Sequence, residues 1–173
     1  GAEGDGDAIF MNISTRMPMT VENYVASEIA CMLLQRIVKE ALEPYGADVR
    51  IDYARRIYPE DRLGIMLVVT PREGEHMHQD VLTALRHAVS GASGIEVDPA
   101  TIQACREYMK HKYVVQMQEP AYWLHAVAMR YLDGRDYTTG FASKVDASSV
   151  EDIRKILRLI EKGSCIEYVI NRK

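Results

Sequence analysis

Residues 148–170 switch hydrophobic period partway along, and that switch constrains the fold more than any other stretch of the chain. Val150, Ile153, Ile156, Leu157 and Ile160 recur at helical spacing and form a one-sided apolar stripe. Ser148 with Glu151 three residues later makes a capping-box start, and Gly163 stands where a helix C-cap is expected. Ser164 to Ile170 then reads as a strand. A helix that buries one side and runs straight into a strand calls for a layer of helices on a sheet.

The rest of the chain supplies that layer. Ala8 to Ser14 is a short apolar run suited to a strand, and Met17-Pro18-Met19 breaks it. Thr20 is a good N-cap, with Met19 and Tyr24 placed as a hydrophobic staple. A long helix to about Leu42 carries Val25, Ile29, Met32, Leu33, Leu34, Ile37 and Ala41 at helical spacing. Glu28, Gln35, Arg36 and Lys39 fall largely on its other side, and Pro44 and Gly46 end it. Residues 48–54 alternate polar and apolar, as a half-buried strand does. Tyr58 to Asp61 makes a turn into Leu63–Thr70, a denser apolar run suited to a central strand. After a break at Pro71–Gly74 come a helix at about 75–89, one opened by Asp98-Pro99 and running to about Gln116, and one after Pro120 ending near Asp133-Gly134. The predicted class is α+β, an antiparallel sheet with helices packed on one face. One domain spans 8–173, and residues 1–7 are a flexible lead in which Gly1 without Met resembles a tag scar.

Composition narrows the function. At 173 residues, 47% hydrophobic and 27% charged, the chain suits one globular domain, and no apolar run is long enough to span a membrane. A formal charge of −4 argues against a nucleic-acid binder. Cys31, Cys105 and Cys165 are far apart and sit in apolar-periodic settings, which fits small buried hydrophobes. Of the five histidines, only His76 and His78 cluster, in Glu75-His76-Met77-His78-Gln79-Asp80. An i, i+2 pair on a helix points its rings about 200° apart, so a solvated helix start is the better reading. Cys105 to Tyr113 carries a charged face with Arg106, Lys110 and Lys112, also read as solvated. No G-x-S-x-G elbow is present.

The last third, PAYWLHAVAMRYLDGRDYTTGF at 120–141 followed by SSVEDIRKILRLIEKGSCIEYVI at 148–170, resembles the end of a domain of the M16 (pitrilysin/insulinase-type) zinc peptidases, especially the long bacterial members. The shared features are a "YW…L…Y…G.D" helix-turn and a "v(S/T).eDI…a..ll..g..ieyvi" helix-strand finish. From about residue 8 to 171 every element finds a counterpart. The resemblance implies a mitochondrial-processing-peptidase-like (LuxS/MPP-like) domain, N-terminally truncated, since that domain normally begins with a further strand and helix.

The resemblance also implies a division of labour. Catalysis in that family needs His-x-x-Glu-His on a helix, which this sequence lacks. The expected role is therefore a non-catalytic C-terminal domain that encloses and positions a peptide for a zinc site in another domain, in cis or in a separate chain. No cofactor is expected here, and zinc is expected in that partner domain. The alternative is a structural or assembly subunit of M16 descent with no peptidase role. A partner domain of the family contributes an Arg and a Tyr to the substrate, and Leu42 and Val49 stand at those positions. Substrate-contact candidates are then Tyr45, Arg50, Tyr53, Arg55, Arg56 and Tyr58, with Arg55-Arg56 beside Tyr58 near the hairpin turn. Tyr122 and Trp123 are expected as core or interface anchors. Self-association of the isolated chain is expected if its apolar surface is normally covered. The compartment stays open between periplasm or cell envelope and cytoplasm.

Overall fold

Alternation along the strands sorts their side chains onto two faces, one buried and one bare. A computed structural model describes residues 7–71 and 79–170 of the chain. The strands are β1 (Ala8–Arg16), β2 (Ala47–Arg56), β3 (Arg62–Pro71) and β4 (Ser164–Ile170), and all neighbouring pairs are antiparallel in the order β2-β3-β1-β4. The helices are α1 (Val21–Leu42), α2 (Gln79–Ser90), α3 (Pro99–Gln116), α4 (Pro120–Asp133), α5 (Phe141–Ala147) and α6 (Val150–Glu161). On one face Ile9, Met11 and Ile13 of β1 and Leu63, Ile65, Leu67 and Val69 of β3 are buried. They share a core with Val25, Ile29 and Leu34 of α1 and with Ile153, Ile156, Leu157 and Ile160 of α6. α1 packs on β2, α2 and α6, and α6 reaches β1. The other face carries Phe10, Met66, Val68, Ile166, Tyr168 and Ile170, with Asp48, Arg50 and Asp52 at its β2 side. Ala8 lies opposite Ile170, so the two ends of the described chain are paired neighbours.

The helix starts follow local chemistry. Thr20 Oγ1 accepts from the Asn23 N–H at 3.1 Å, and Asp98 Oδ1 accepts from the Ala100 N–H at 3.1 Å. Beyond Leu42 a single 3₁₀ turn, Glu43–Tyr45, closes on Gly46 at φ 62°, a left-handed conformation that glycine adopts without strain. One aspartate fixes the hairpin end: Asp61 accepts from the Met19 N–H and from Arg135 Nη1, both at 2.8 Å.

Several expectations change. α5 has no counterpart in the sequence reading. The capping box is Ser149 with Asp152, one residue later than Ser148 with Glu151: Ser149 Oγ accepts from the Asp152 N–H, and Asp152 Oδ2 accepts from the Ser149 N–H. Ser148 instead ends α5. Gly163 follows the C-cap Lys162, and its φ is not in the left-handed range. A Cβ there would meet Ile13 Cγ2 at 2.9 Å and the Ser14 carbonyl at 3.0 Å, so the glycine answers to a close approach of the chain to β1. Glu28 lies on the buried side of α1 and not on its polar side. The charged stretch of α3 is engaged and not merely solvated: Lys110 Nζ reaches Asp146 of α5 at 2.9 Å, and Arg106 donates to the Ser148 carbonyl. The lead at 1–6, the break at 72–74, the Glu75–His78 cluster and residues 171–173 lie outside the described residues.

Candidate functional site

An arginine on the apolar phase of an edge strand needs a buried acid, and α1 provides it. Val49, Ile51, Tyr53 and Arg55 share the helix-covered side of β2. Arg55 is thereby drawn under α1 and does not sit free at the hairpin turn. Its Nη1 donates to the Tyr24 carbonyl at 2.9 Å and lies 3.5 Å from Glu28 Oε2, while its guanidinium covers the Tyr24 ring at 3.6 Å. Lys112 Nζ of α3 donates to the other oxygen of Glu28 at 2.8 Å. Glu28 is 6% exposed, and two cations from two different elements balance it.

Aromatic rings box this cluster in. Tyr24 stacks on Tyr137 at 4.4 Å, Tyr113 on Phe141 at 4.3 Å, and Tyr122 meets Tyr113 edge-on at 5.9 Å. They surround a cavity of about 70 Å³ that Glu28, Arg55, Lys112 and His125 also line. Burial, reinforced by the negative charge of Glu28, pushes the Tyr53 hydroxyl above the ordinary phenol range. Burial likewise pushes the Cys31 thiol up to about 12. Both cations are held by the one carboxylate of Glu28, which leaves the cluster with a single net positive charge. The cluster clamps the β2–β3 hairpin to α1 and α3.

The structure divides the expected contact residues among four places. Tyr53 and Arg55 face the buried cluster. Arg50 stands on the open sheet face, 3.4 Å from Asp52. Tyr45 lies at a groove of about 750 Å³ between α1 and α2, beside Ile37, Ala41, Ala84 and His87. Arg56 is exposed at the end of β2, and Tyr58 at the hairpin tip is 86% exposed. Leu42 is fully buried and Val49 is half-buried against the core, so both positions turn inward. Tyr122 faces the aromatic box, whereas Trp123 looks outward and its Nε1 donates to the Met117 carbonyl at 2.7 Å. Sequence reasoning missed Glu28 and Lys112. The readable signals were the odd phase of Arg55 in the otherwise apolar series of β2, and the place of Glu28 three residues after Val25 on the apolar side of α1.

The sheet itself offers the larger surface. Among the described residues, β2 and β4 each leave one edge unpaired, and no helix covers the open face. The two edges differ in charge. β2 exposes Asp48, Arg50, Asp52 and Arg56. β4 carries one charge, Glu167, which Arg86 of α2 holds through Nε at 3.0 Å and Nη2 at 2.5 Å. That guanidinium keeps the Glu167 carboxyl below its ordinary range.

Among the described residues no three His, Cys, Asp or Glu side chains converge as a metal set. The sequence carries no His-x-x-Glu-His, the donor set by which the M16 type holds its zinc ion. Among the same residues no helix is long and apolar enough to cross a membrane.

No family model matches the chain, and no curated protein matches it. Solved structures do. The inactive peptidase domain assigned to a zinc protease from Bordetella parapertussis superposes with a TM-score of 0.73 at 14% identity, over 99% of this chain and 95% of that one. The periplasmic protease PqqL from Escherichia coli gives 0.75 at 9% identity, over 99% of this chain and 20% of that one. An M16-like peptidase from Alicyclobacillus acidocaldarius gives 0.70 at 11% identity, over 97% of this chain and 41% of that one. The chain thus spans about a fifth of the length of PqqL and nearly all of the Bordetella domain. The fold is that of an M16-type peptidase domain, an antiparallel sheet with helices on one face.

Proposed function

We propose, from that shared fold, that this chain is the non-catalytic domain of a longer M16-type zinc peptidase, where it encloses and positions an extended peptide. The observation that carries the reading is the match over nearly its whole length to a domain of the inactive kind, in a chain without a zinc motif. The bare sheet face and the two free edges supply a wall and a pairing surface for such a peptide. An edge strand, 48–54 or 164–170, takes the peptide backbone, and metal-activated water would act from another domain, in cis or in a separate chain. The inward placement of Leu42 and Val49 favours one competitor, a structural or assembly subunit of the same descent.

A single assay separates the two. Cleavage of a quenched fluorescent peptide is measured for the longer polypeptide and for this chain, each with and without a zinc chelator. Chelator-sensitive cleavage by the longer chain alone is the expected result. Silence from both selects the structural subunit, and cleavage by the 173-residue chain itself would overturn both readings.

A further inference from the structure

The two free edges are not equivalent, and the difference selects one of them. A strand added to a sheet sets its side chains beside those of the edge strand, with cross-strand Cβ atoms about 5 Å apart. Beside β2, the open-face side chains of an incoming strand would meet Asp48, Arg50 and Asp52, an alternating row of charge that guards an edge against pairing. Beside β4 they would meet Ile166, Tyr168 and Ile170, each just over half exposed. The opposite face of β4 adds Cys165 and Val169, both exposed, with Glu167 between them already neutralised by Arg86. Phe10 and Val68 continue the open-face strip inward across β1 and β3.

We infer that the free edge of β4 is the docking edge, and that its occupant is an extended, uncharged peptide with apolar or β-branched side chains on both faces. The inference rests on the proposed function only in taking a peptide as the partner. Size favours a transient occupant over a second copy of the chain. The seven residues of β4 run about 23 Å. A strip of that length and one strand thick buries a few hundred Å² per partner, well under the roughly 1,200 Å² total of a stable interface. Charge completes the selection. An acidic or basic residue in the peptide would lie among Ile166, Tyr168 and Val169 without a partner, because Glu167 and Arg86 already satisfy each other.

The test is amide hydrogen exchange, read by NMR on the 173-residue chain. The probe is a capped seven-residue peptide of alternating valine and threonine. Two controls accompany it: the same peptide N-methylated at every residue, which removes the donors from both of its edges, and one with aspartate in place of the valines. Saturating probe slows exchange of amides in 164–170 by about tenfold or more, and neither control does so. Ile166→Lys, at a half-exposed site, weakens probe binding by about tenfold while leaving the remaining spectrum in place. Protection in 47–56 instead would overturn the choice of edge. Protection of β4 without peptide, rising with protein concentration, would give the edge to a second copy. Equal protection by the N-methylated control would remove strand pairing as the mode, and no protection anywhere would end the proposal. The cleavage assay fails or succeeds separately: β4 protection beside an inert longer chain would sink the peptidase reading and keep the edge.

Discussion

At Gly163 a single methyl group has nowhere to go. Its Cβ would press on Ile13 Cγ2 at 2.9 Å and on the Ser14 backbone at 3.0 Å, and backbone cannot swing aside. Gly163→Ala is expected to destabilise the chain by about 1–3 kcal/mol in urea unfolding. Gly94→Ala, which meets open space, should change little and serves as control. Glu28 makes a different demand. Glu28→Ala strands Arg55 beneath α1, a loss of roughly 2–3 kcal/mol once the partly exposed Lys112 is discounted for solvent screening. Unchanged urea midpoints for this variant would mean that water, and not Glu28, satisfies both cations. Glu28 was hidden because charge usually marks the outer side of a helix, whereas here pairing across three elements overrides that rule. Gly163 was legible as a break. Its reason was not, because a close approach depends on where β1 lies.

α6 shows what local sequence can and cannot specify. The apolar stripe and the following strand were plain from 150 to 170, yet the cap register slipped by one. Two adjacent serines followed by two adjacent acids satisfy the capping-box spacing in both registers. α5 breaks the tie, because Ser148 is already its C-cap. α5 escaped notice because only Phe141 and Val145 of its seven residues are buried. Ser149→Ala is expected to cost about 1 kcal/mol, and Ser148→Ala less at the cap. The box also titrates. The Ser149 hydroxyl, then its N–H, hold the Asp152 carboxyl below its ordinary value of 3.8. A carboxyl depressed in the folded state stabilises fully above its unfolded pKa, and that contribution fades as pH falls through the folded one. Thermal melts from neutral pH downward should therefore show Tm falling below about pH 4. Asp152→Ala should fall less steeply over the same range, and parallel curves would show the box has no part in acid unfolding.

Across the whole molecule, stability is unevenly spread. α1 buries twelve residues, α3 buries only Ile102 and Met109, and α4 buries none. Trp123, Leu124, Val127 and Tyr131 lie on the outward side of α4, so its inner contacts run through Tyr122, Ala126 and Met129. Amides of α4 are expected to exchange through local opening, well before those of α1, β1 and β3, which should open only with the whole domain. Equal protection in α1 and α4 would contradict that order. The α+β class and the one-sided layering were readable because helical and strand periods alternate cleanly. Strand order was less so: the dense run of β3 announced a central strand, while β1 gave no comparable sign despite lying between β3 and β4. Alternation along β2 was enough to part Tyr53 and Arg55 from Arg50, but not to place Tyr45 or Tyr58, whose surroundings depend on where α2 and the hairpin tip lie.

The pairing of Ala8 with Ile170 sets those two points of the backbone side by side. A short bridge between those points can close the backbone into a ring, so new ends can be cut elsewhere with the hydrophobic interior intact. Spliced into the surface loop of an unrelated host, the unit would sit like a bead on a stem, free to pivot without prising the host apart.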